Sequence, residues 1–564
     1  MDKKLYIIRA LFVLLLLLIG FTLLGRHFHH LQITRHAELL EKARGKYTTS
    51  RVQTGSRGMI YDSGGNLLTG NLACKDVLIE PRRLADDRMR AARLLSNTLD
   101  LDLQTILGKF NTDLIEIPLK RRVDIQTAQQ LAAFNLPGVR LVNSTRRFYP
   151  KGKLAANLLG IVNSEGDGVS GIEQKLNSAL KPASGVKVFE RTREGSPLPG
   201  LDADSGGTLN GADVYLTLNE PIQSIMEEEL ENLVEEFQPQ AAYAIMAEPE
   251  SGAILGVAQH PSFDPNIRSP ENMKNGQWQN HFITGGFEPG SIMKPISLAG
   301  ALDYGVVTLG DIIDCEEGHW RYRSSVLRDA GHSYDDLRVW QVLQKSSNIG
   351  IAKISLMLGE ERLYQTLWRF GFGRSTGLFA NEASGILRPL PNWDWLSVTR
   401  FPIGQGLLAT PAQIIQAYNA LANGGVMAQL RIVDRLEYPH ENKREHNQPQ
   451  VKRRVIRPQT ARLITTAMKT VVSDEGTAPK AAIEGYPVAG KTGTSQKFID
   501  GTYQSDKHVA SFIGFVPAHD PEFVLLVVAD EPEGSIYGGT VAAPTFKNIA
   551  ERSLRYLQVP PDEP

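Results

Sequence analysis

Gly290-Ser-Ile-Met-Lys-Pro295 decides how the second half of this chain is read. Spaced three apart on a helix, Ser291 and Lys294 share one face, so an amine can approach an alcohol that must lose a proton before it attacks. Gly290 lets the backbone turn sharply into that helix, and Pro295, which has no N–H to donate, is tolerated only near a helix start. A serine placed there also offers its own N–H to a developing oxyanion. Lysine acts as a base only when burial or a neighbouring cation lowers its pKa, so a second cation is expected nearby.

Two further words supply the remaining parts. Lys491-Thr-Gly-Thr494 brings the second cation, and Ser346-Ser-Asn348 brings a hydroxyl and an amide able to bridge the two lysines or hold a substrate carbonyl or amide. More than one group in this set could take the serine proton. Asp500-Gly501, directly after Ser495-Gln-Lys-Phe-Ile499, reads as a hairpin turn, which puts Lys491 on a strand at a cleft edge. Such a strand can align an extended peptide through its backbone, while Lys491 and the Thr494 hydroxyl hold a terminal carboxylate. The backbone N–H groups of Ser291 and Thr494 are the expected oxyanion hole. Together the words point to acyl transfer through an active serine.

With Arg57-Gly-Met-Ile-Tyr-Asp62, Arg147-Phe-Tyr-Pro150, Gly171-Ile-Glu173, Pro261-Ser-Phe-Asp-Pro-Asn266, Phe370-Gly-Phe-Gly373, Gly404-Gln-Gly406 and Ala422-Asn-Gly-Gly425, these words make the chain resemble a class B penicillin-binding protein, a peptidoglycan D,D-transpeptidase. The run Leu343-Gln-Lys-Ser-Ser-Asn348 is most similar to the septal, cell-division penicillin-binding protein 3 branch. The pattern departs from the family at Ser63, Asn157 and Glu248, all outside the three catalytic words.

The resemblance implies an α/β (α+β) penicilloyl-serine transferase fold, an antiparallel sheet flanked by helices, behind an elongated α+β pedestal and one transmembrane helix. Expected boundaries are a cytoplasmic tip and anchor over 1–26, a non-catalytic pedestal of the dimerisation type over 27–211, a transpeptidase domain over 212–558 and a tail over 559–564. It implies catalytic roles for Ser291, Lys294, Ser346, Asn348 and Lys491, substrate binding by Thr492, Gly493 and Thr494, and no cofactor. Expected partners are peptidoglycan stem peptides, β-lactam antibiotics, other division proteins and a membrane glycosyltransferase, since the chain contains no Glu-Asp dipeptide of a glycan-polymerising site. A β-lactamase or β-lactam sensor shares the three words but would not need so large a pedestal; an idle division scaffold would use none of their chemistry.

Two other motif matches weaken in context. Gly485-x4-Gly490-Lys491-Thr492 satisfies a phosphate-binding loop, with Phe523–Asp530 resembling its acidic strand, but that loop needs a helix starting at its lysine, which Gly493 and the Asp500-Gly501 turn oppose. Gly373-Arg-Ser-Thr-Gly377 formally matches a nucleophile elbow, yet it follows a helix-like segment rather than a strand, so Ser375 reads as a turn residue.

Length and composition fit this outline. A chain of 564 residues with 42% hydrophobic content builds packed cores in about two to four domains. A formal net charge of -1 gives no basic face for nucleic acid. Ala10 to Gly25 carries no charge, and with Leu5 to Ile8 and a snorkelling Arg9 it makes a helix of about 30 Å, enough to cross hydrocarbon. No small-x-small cleavage site follows it. Basic residues flank both ends, so the extracytoplasmic, periplasmic placement of the bulk at the inner membrane rests on the resemblance. Cys74 and Cys315 read as two isolated buried thiols. Asp314, Cys315, His319, Asp329 and His332 are metal-ligating types without a ligand spacing, so no metal is expected.

Overall fold

A computed structural model describes residues 3–84, 88–112, 114–182, 184–191, 197–202, 210–267, 277–331 and 333–562, with the side chains of 43–54, 184–191 and 197–202 left aside. Its backbone forms two compact units. The first, Met1–Ser56 with Pro182–Asn210, begins with helix Lys3–His29, whose described side chains all face outward. At 1.5 Å per residue that helix is about 40 Å long, and among the described residues Lys3–Thr34 is the one helical stretch long and apolar enough to cross a membrane. Helix His36–Tyr47 follows. The unit ends in a small sheet in which Thr48–Thr54 pairs antiparallel with Ser184–Arg191.

The second unit, Arg57–Lys181 with Gly211–Pro564, is built around a five-stranded antiparallel sheet. Its strands are β1 (Ala241–Ala247), β2 (Ile254–His260), β3 (Ala489–Ile499), β4 (Thr502–Val516) and β5 (Phe523–Asp530), in the order β2-β1-β5-β4-β3. β1 and β5 are buried at nearly every position, a pattern that arises only when both faces are covered. Helices α1 (Glu220–Phe237), α2 (Lys294–Asp303), α3 (Asn348–Leu358), α4 (Pro411–Ala422), α5 (Pro458–Lys469) and α6 (Gly538–Tyr556) share its core; α1, α4, α5 and α6 lie against the sheet, and α2 and α3 pack on one another. The expected sheet flanked by helices is therefore present. Asn219 caps α1 through Ile222 N, and Thr410 caps α4 in a reciprocal box with Gln413. β3 lies at the sheet edge, and Asp500 and Gly501, both at positive φ, turn it directly into β4.

Local rules are overridden in two places. The final helix starts at Gly538 and carries Pro544 inside it; packing of Phe546 against Phe512 of β4 fixes the helix despite the missing N–H. The charged stretch Pro439 to Arg454 is mostly exposed yet holds two strands, Lys443–His446 and Val451–Arg454. Backbone pairing with Val433–Tyr438 and Val426–Ala428 makes them, a signal that side-chain polarity does not carry.

A mixed sheet runs from Lys443–His446 through Asp213–Leu216 and Ile60–Tyr61 to Leu67–Ile79, so the chain before Lys181 and after Gly211 shares one unit. Three of the quoted stretches meet beneath it. Glu173, fully buried, accepts from Arg57 Nε at 2.7 Å and Arg147 Nε at 2.6 Å, and Arg147 also donates to Gly58 O at 2.7 Å. Two guanidiniums on one carboxylate neutralise charges that would be costly to bury alone. Cys74 and Cys315 are buried free thiols.

Candidate active site

Ser291 lies in a tight turn, Gly290–Met293, that runs straight into α2 with Lys294 as its first residue. Gly290 has φ +60°, and a Cβ there would stand 3.1 Å from the Ser495 Cβ of β3. The turn can therefore press against the Lys491–Thr494 strand only because that side chain is missing. Gly404, φ +77°, accommodates it from the other side, its O accepting from Gly290 N at 3.2 Å. Below, the Tyr418 hydroxyl of α4 donates to Ile292 O at 2.8 Å. The Ser291 side chain is half-exposed, while Lys294 is completely buried.

Lys294 Nζ donates to Ser346 O, to Ser346 Oγ at 3.1 Å and to Asn348 Oδ1 at 2.8 Å. Three acceptors match the three N–H bonds of an ammonium, so loss of one proton frees a lone pair in the same place. Lys491 Nζ, also fully buried, donates to Ser346 Oγ at 2.9 Å and to Thr492 Oγ1 at 3.2 Å. Ser346 Oγ thus accepts from both amines. With its lone pairs taken, its own proton is the part left to give.

Burial pulls Lys294 down to about 7, with the Asp329 carboxylate pulling the other way. Desolvation also lowers Lys491 well below the usual lysine range, and the charge of Lys294 adds to this. Ser346 is held in a left-handed conformation, φ +57°, between helix Val339–Gln344 and α3. A non-glycine residue there is uncommon and stores strain where the hydroxyl must be aimed.

Ser291, Lys294, Ser346, Asn348, Lys491 and Thr494 are thus brought to one place by the Ser291 turn, the α3 N-terminus and edge strand β3. Asn348 has its Oδ1 on Lys294 and one N–H on Arg328 O at 2.9 Å, which leaves a single amide hydrogen for a ligand. Thr492, expected to bind substrate, is buried, with its hydroxyl 2.9 Å from that of Thr477 and in reach of Lys491. Gly493 admits the turn, since a Cβ there would lie 3.1 Å from Ile292 Cγ2. Thr494 is half-exposed, and its Oγ1 accepts from Gly538 N at the start of α6, 3.3 Å away. The phosphate-loop reading is excluded, because Lys491 lies on a strand. Ser375 lies in a loop after helix Glu360–Arg369.

Sequence reasoning overlooked two residues. Asp329, weighed only as a metal ligand, accepts from Ile349 N at 3.0 Å and Ser347 Oγ at 2.8 Å, and also from Asn348 N at 2.5 Å, so it fastens the start of α3. Eighteen residues, among them helix Val339–Gln344, separate it from Ser347, so no local capping pattern reveals it. His332 lies outside the described residues, and no cluster of three or more metal-ligating side chains occurs among those described. Glu288 accepts from Gly406 N at 2.8 Å and Tyr503 Oη at 3.2 Å, tying the nucleophile turn to the hairpin beyond Thr494.

Comparison with known proteins identifies the family. Residues 242–551 match the family described as the penicillin binding protein transpeptidase domain, and residues 52–216 the penicillin-binding protein dimerisation domain. The probable peptidoglycan D,D-transpeptidase PenA of Neisseria gonorrhoeae is 32% identical over 99% of this chain and 94% of its own length. Stage V sporulation protein D of Bacillus subtilis is 33% identical (98% and 86%), and the peptidoglycan D,D-transpeptidase FtsI of Escherichia coli K12 31% (92% and 87%). Among solved structures, a peptidoglycan synthetase of Bifidobacterium adolescentis superposes with a TM-score of 0.73 at 26% identity, covering 92% of this chain and 98% of that one. Penicillin-binding protein 3 of Mycobacterium tuberculosis, complexed with aztreonam, superposes with a TM-score of 0.71 at 25% identity, covering 90% and 98%. A serine turn, a double-lysine relay and matching domains over most of its length place this chain in the penicillin-binding protein transpeptidase family.

Proposed function

We propose that the protein is a peptidoglycan D,D-transpeptidase that works through a Ser291 ester. Neutral Lys294 takes the Ser291 proton, and Ser291 Oγ attacks the penultimate D-alanyl carbonyl of a stem peptide. The backbone N–H groups of Ser291 and Thr494 receive the oxyanion, and Lys491 with Thr494 holds the terminal carboxylate. As the C–N bond breaks, the Ser346 hydroxyl passes a proton to the departing D-alanine amine and takes one from the Lys294 ammonium, which returns to its neutral form. An amine of a second stem peptide then attacks the ester, forms the crosslink and returns the proton to Ser291. Thr492 supports Lys491 in this scheme, in keeping with its buried hydroxyl. The domain limits 27–211 and 212–558 remain the proposed division between pedestal and catalytic part.

The observation that carries this reading is the shared Ser346 hydroxyl between Lys294 and Lys491. β-Lactams, which mimic the D-alanyl-D-alanine end, acylate the same serine. Intact-mass measurement after penicillin treatment should show one covalent adduct, absent from Ser291→Ala; an adduct that survives the substitution would remove the assignment.

The helix Lys3–His29 supports a single-pass anchor with the catalytic unit outside the cytoplasm, where peptidoglycan lies, and glycan polymerisation falls to a membrane glycosyltransferase partner. The run Leu343 to Asn348 and the similarity to FtsI favour septal wall synthesis. The similarity to a stage V sporulation protein favours a second reading, a role in sporulation. A fluorescent fusion that gathers at midcell in growing cells supports the first; one that appears only at the forespore supports the second.

A further inference from the structure

Arg400 is a half-buried guanidinium without a carboxylate. It ends the short helix Ser397–Arg400, and its O accepts from Gln405 N at 3.1 Å, so its backbone is continuous with the Gly404–Gly406 loop that braces the Ser291 turn. Its side chain donates to Ser325 Oγ at 2.9 Å, on the hairpin that leads to Asp329 and Ser346. Tyr503 lies on the strand that returns from Lys491–Thr494. Burial lowers the Arg400 pKa, and proximity to the Tyr503 phenol opposes this. The carboxylate linked to this corner, Glu288, is taken by Gly406 N and Tyr503 Oη.

Among the described residues Arg400 forms no ion pair, although a guanidinium has five N–H donors and loses hydration where it lies. Its place is shared by the elements carrying all three catalytic words. Tyr503 packs on Phe498 with ring centroids 5.0 Å apart, and Trp395 with Tyr322 carries the Arg323 guanidinium, 5.6 Å from both ring centroids. A half-buried guanidinium fork with no carboxylate partner among the described residues is a seat for a planar anion on an extended ligand.

We infer that Arg400 is a specificity-determining residue that binds a carboxylate of the acyl-donor stem peptide upstream of the scissile D-alanyl-D-alanine bond. The inference rests on the transpeptidase reading and adds to it a requirement on the donor. Stem peptides carry such carboxylates on an acidic second residue and, in some walls, on a diamino acid at the third. Ser325 anchors the fork through one Nη2 hydrogen.

The test uses the full chain in detergent with synthetic donor peptides that keep both upstream carboxylates or have one or the other amidated. Wild type should process the carboxylate donor about ten- to hundredfold better in kcat/KM than the donor amidated at the recognised position, the range of one charge-assisted pair. In Arg400→Gln that ratio should fall to within about twofold, and Arg400→Lys should restore part of it. Which amidated donor shows the loss identifies the carboxylate. Acylation by a penicillin without a side-chain carboxylate reports separately on the nucleophile. If Arg400→Gln slows that acylation as much as it slows the carboxylate donor, Arg400 grips the carboxylate common to all ligands or merely shapes the fold, and the inference fails. Equal use of all donors by the wild type also overturns it, without needing any variant. No turnover of any donor and no penicillin adduct would instead remove the transpeptidase reading, and this inference with it.

Discussion

Lys294 and Lys491 converge on one oxygen: their Nζ atoms stand 3.1 and 2.9 Å from Ser346 Oγ. Two buried amines so placed cannot both carry full charge cheaply, and the hydroxyl between them has its lone pairs filled and its proton free. Ser346→Ala removes the shared acceptor and the outgoing proton together. Penicillin acylation, followed by stopped-flow or intact mass, is expected to slow by about 10²- to 10⁴-fold, the usual worth of a positioned proton carrier, while the folded state persists. Unchanged acylation would place the proton path elsewhere.

The pH dependence of acylation follows from Lys294, which is drawn down to about 7. The base must be neutral, so the rate should rise about tenfold per pH unit below pH 7 and level off above it. Measuring the second-order acylation constant from pH 5 to pH 9 checks this. A profile flat to pH 9 would mean that Lys294 is not the titrating base.

Asp329 holds the α3 N-terminus and sustains the positive charge on Lys294. Asp329→Asn should lower stability by about 1–2 kcal/mol, as for a lost helix cap, measured by urea unfolding. It should also move the rising limb of the acylation profile to lower pH, because the ammonium form loses its support. A stability loss with an unmoved limb would leave Asp329 a cap and nothing more.

Glu227 of α1 accepts from Ala155 N at 2.7 Å and from Gln223 at 2.7 Å, and burial raises it from 4.5 to about 7. Below pH 4.5 both folded and unfolded chains hold the proton, so nothing is lost. Between 4.5 and 7 the folded chain keeps a proton that the unfolded chain releases, so stability falls as pH rises and levels beyond the folded pKa. Glu227→Gln keeps an acceptor without the charge. It should match wild type near pH 4.5 and gain about 1–3 kcal/mol at pH 8, read as a higher Tm only in the alkaline buffer. A gain of equal size at both pH values would count against the titration.

The sequence alone determined the chemistry and most of the elements. Ser291, Lys294, Ser346, Asn348 and Lys491 were legible because each lies in a short word whose spacing has a local physical meaning, and Asp500-Gly501 announced the hairpin that makes Lys491 an edge-strand residue. The helix Glu220–Phe237 and the strands Ala241–Ala247 and Phe523–Asp530 follow from periodicity and apolar runs of the same local kind. Tertiary structure decided what depends on residues far apart in the chain. It took folding to turn Asp329 from a suspected ligand into the cap of α3, to aim Thr492 at Thr477, and to let Gly290, Gly404 and Gly493 bring three backbones within contact. It also buried both lysines, and burial rather than sequence spacing sets their pKa, because desolvation is a property of the packed interior and not of any run of residues.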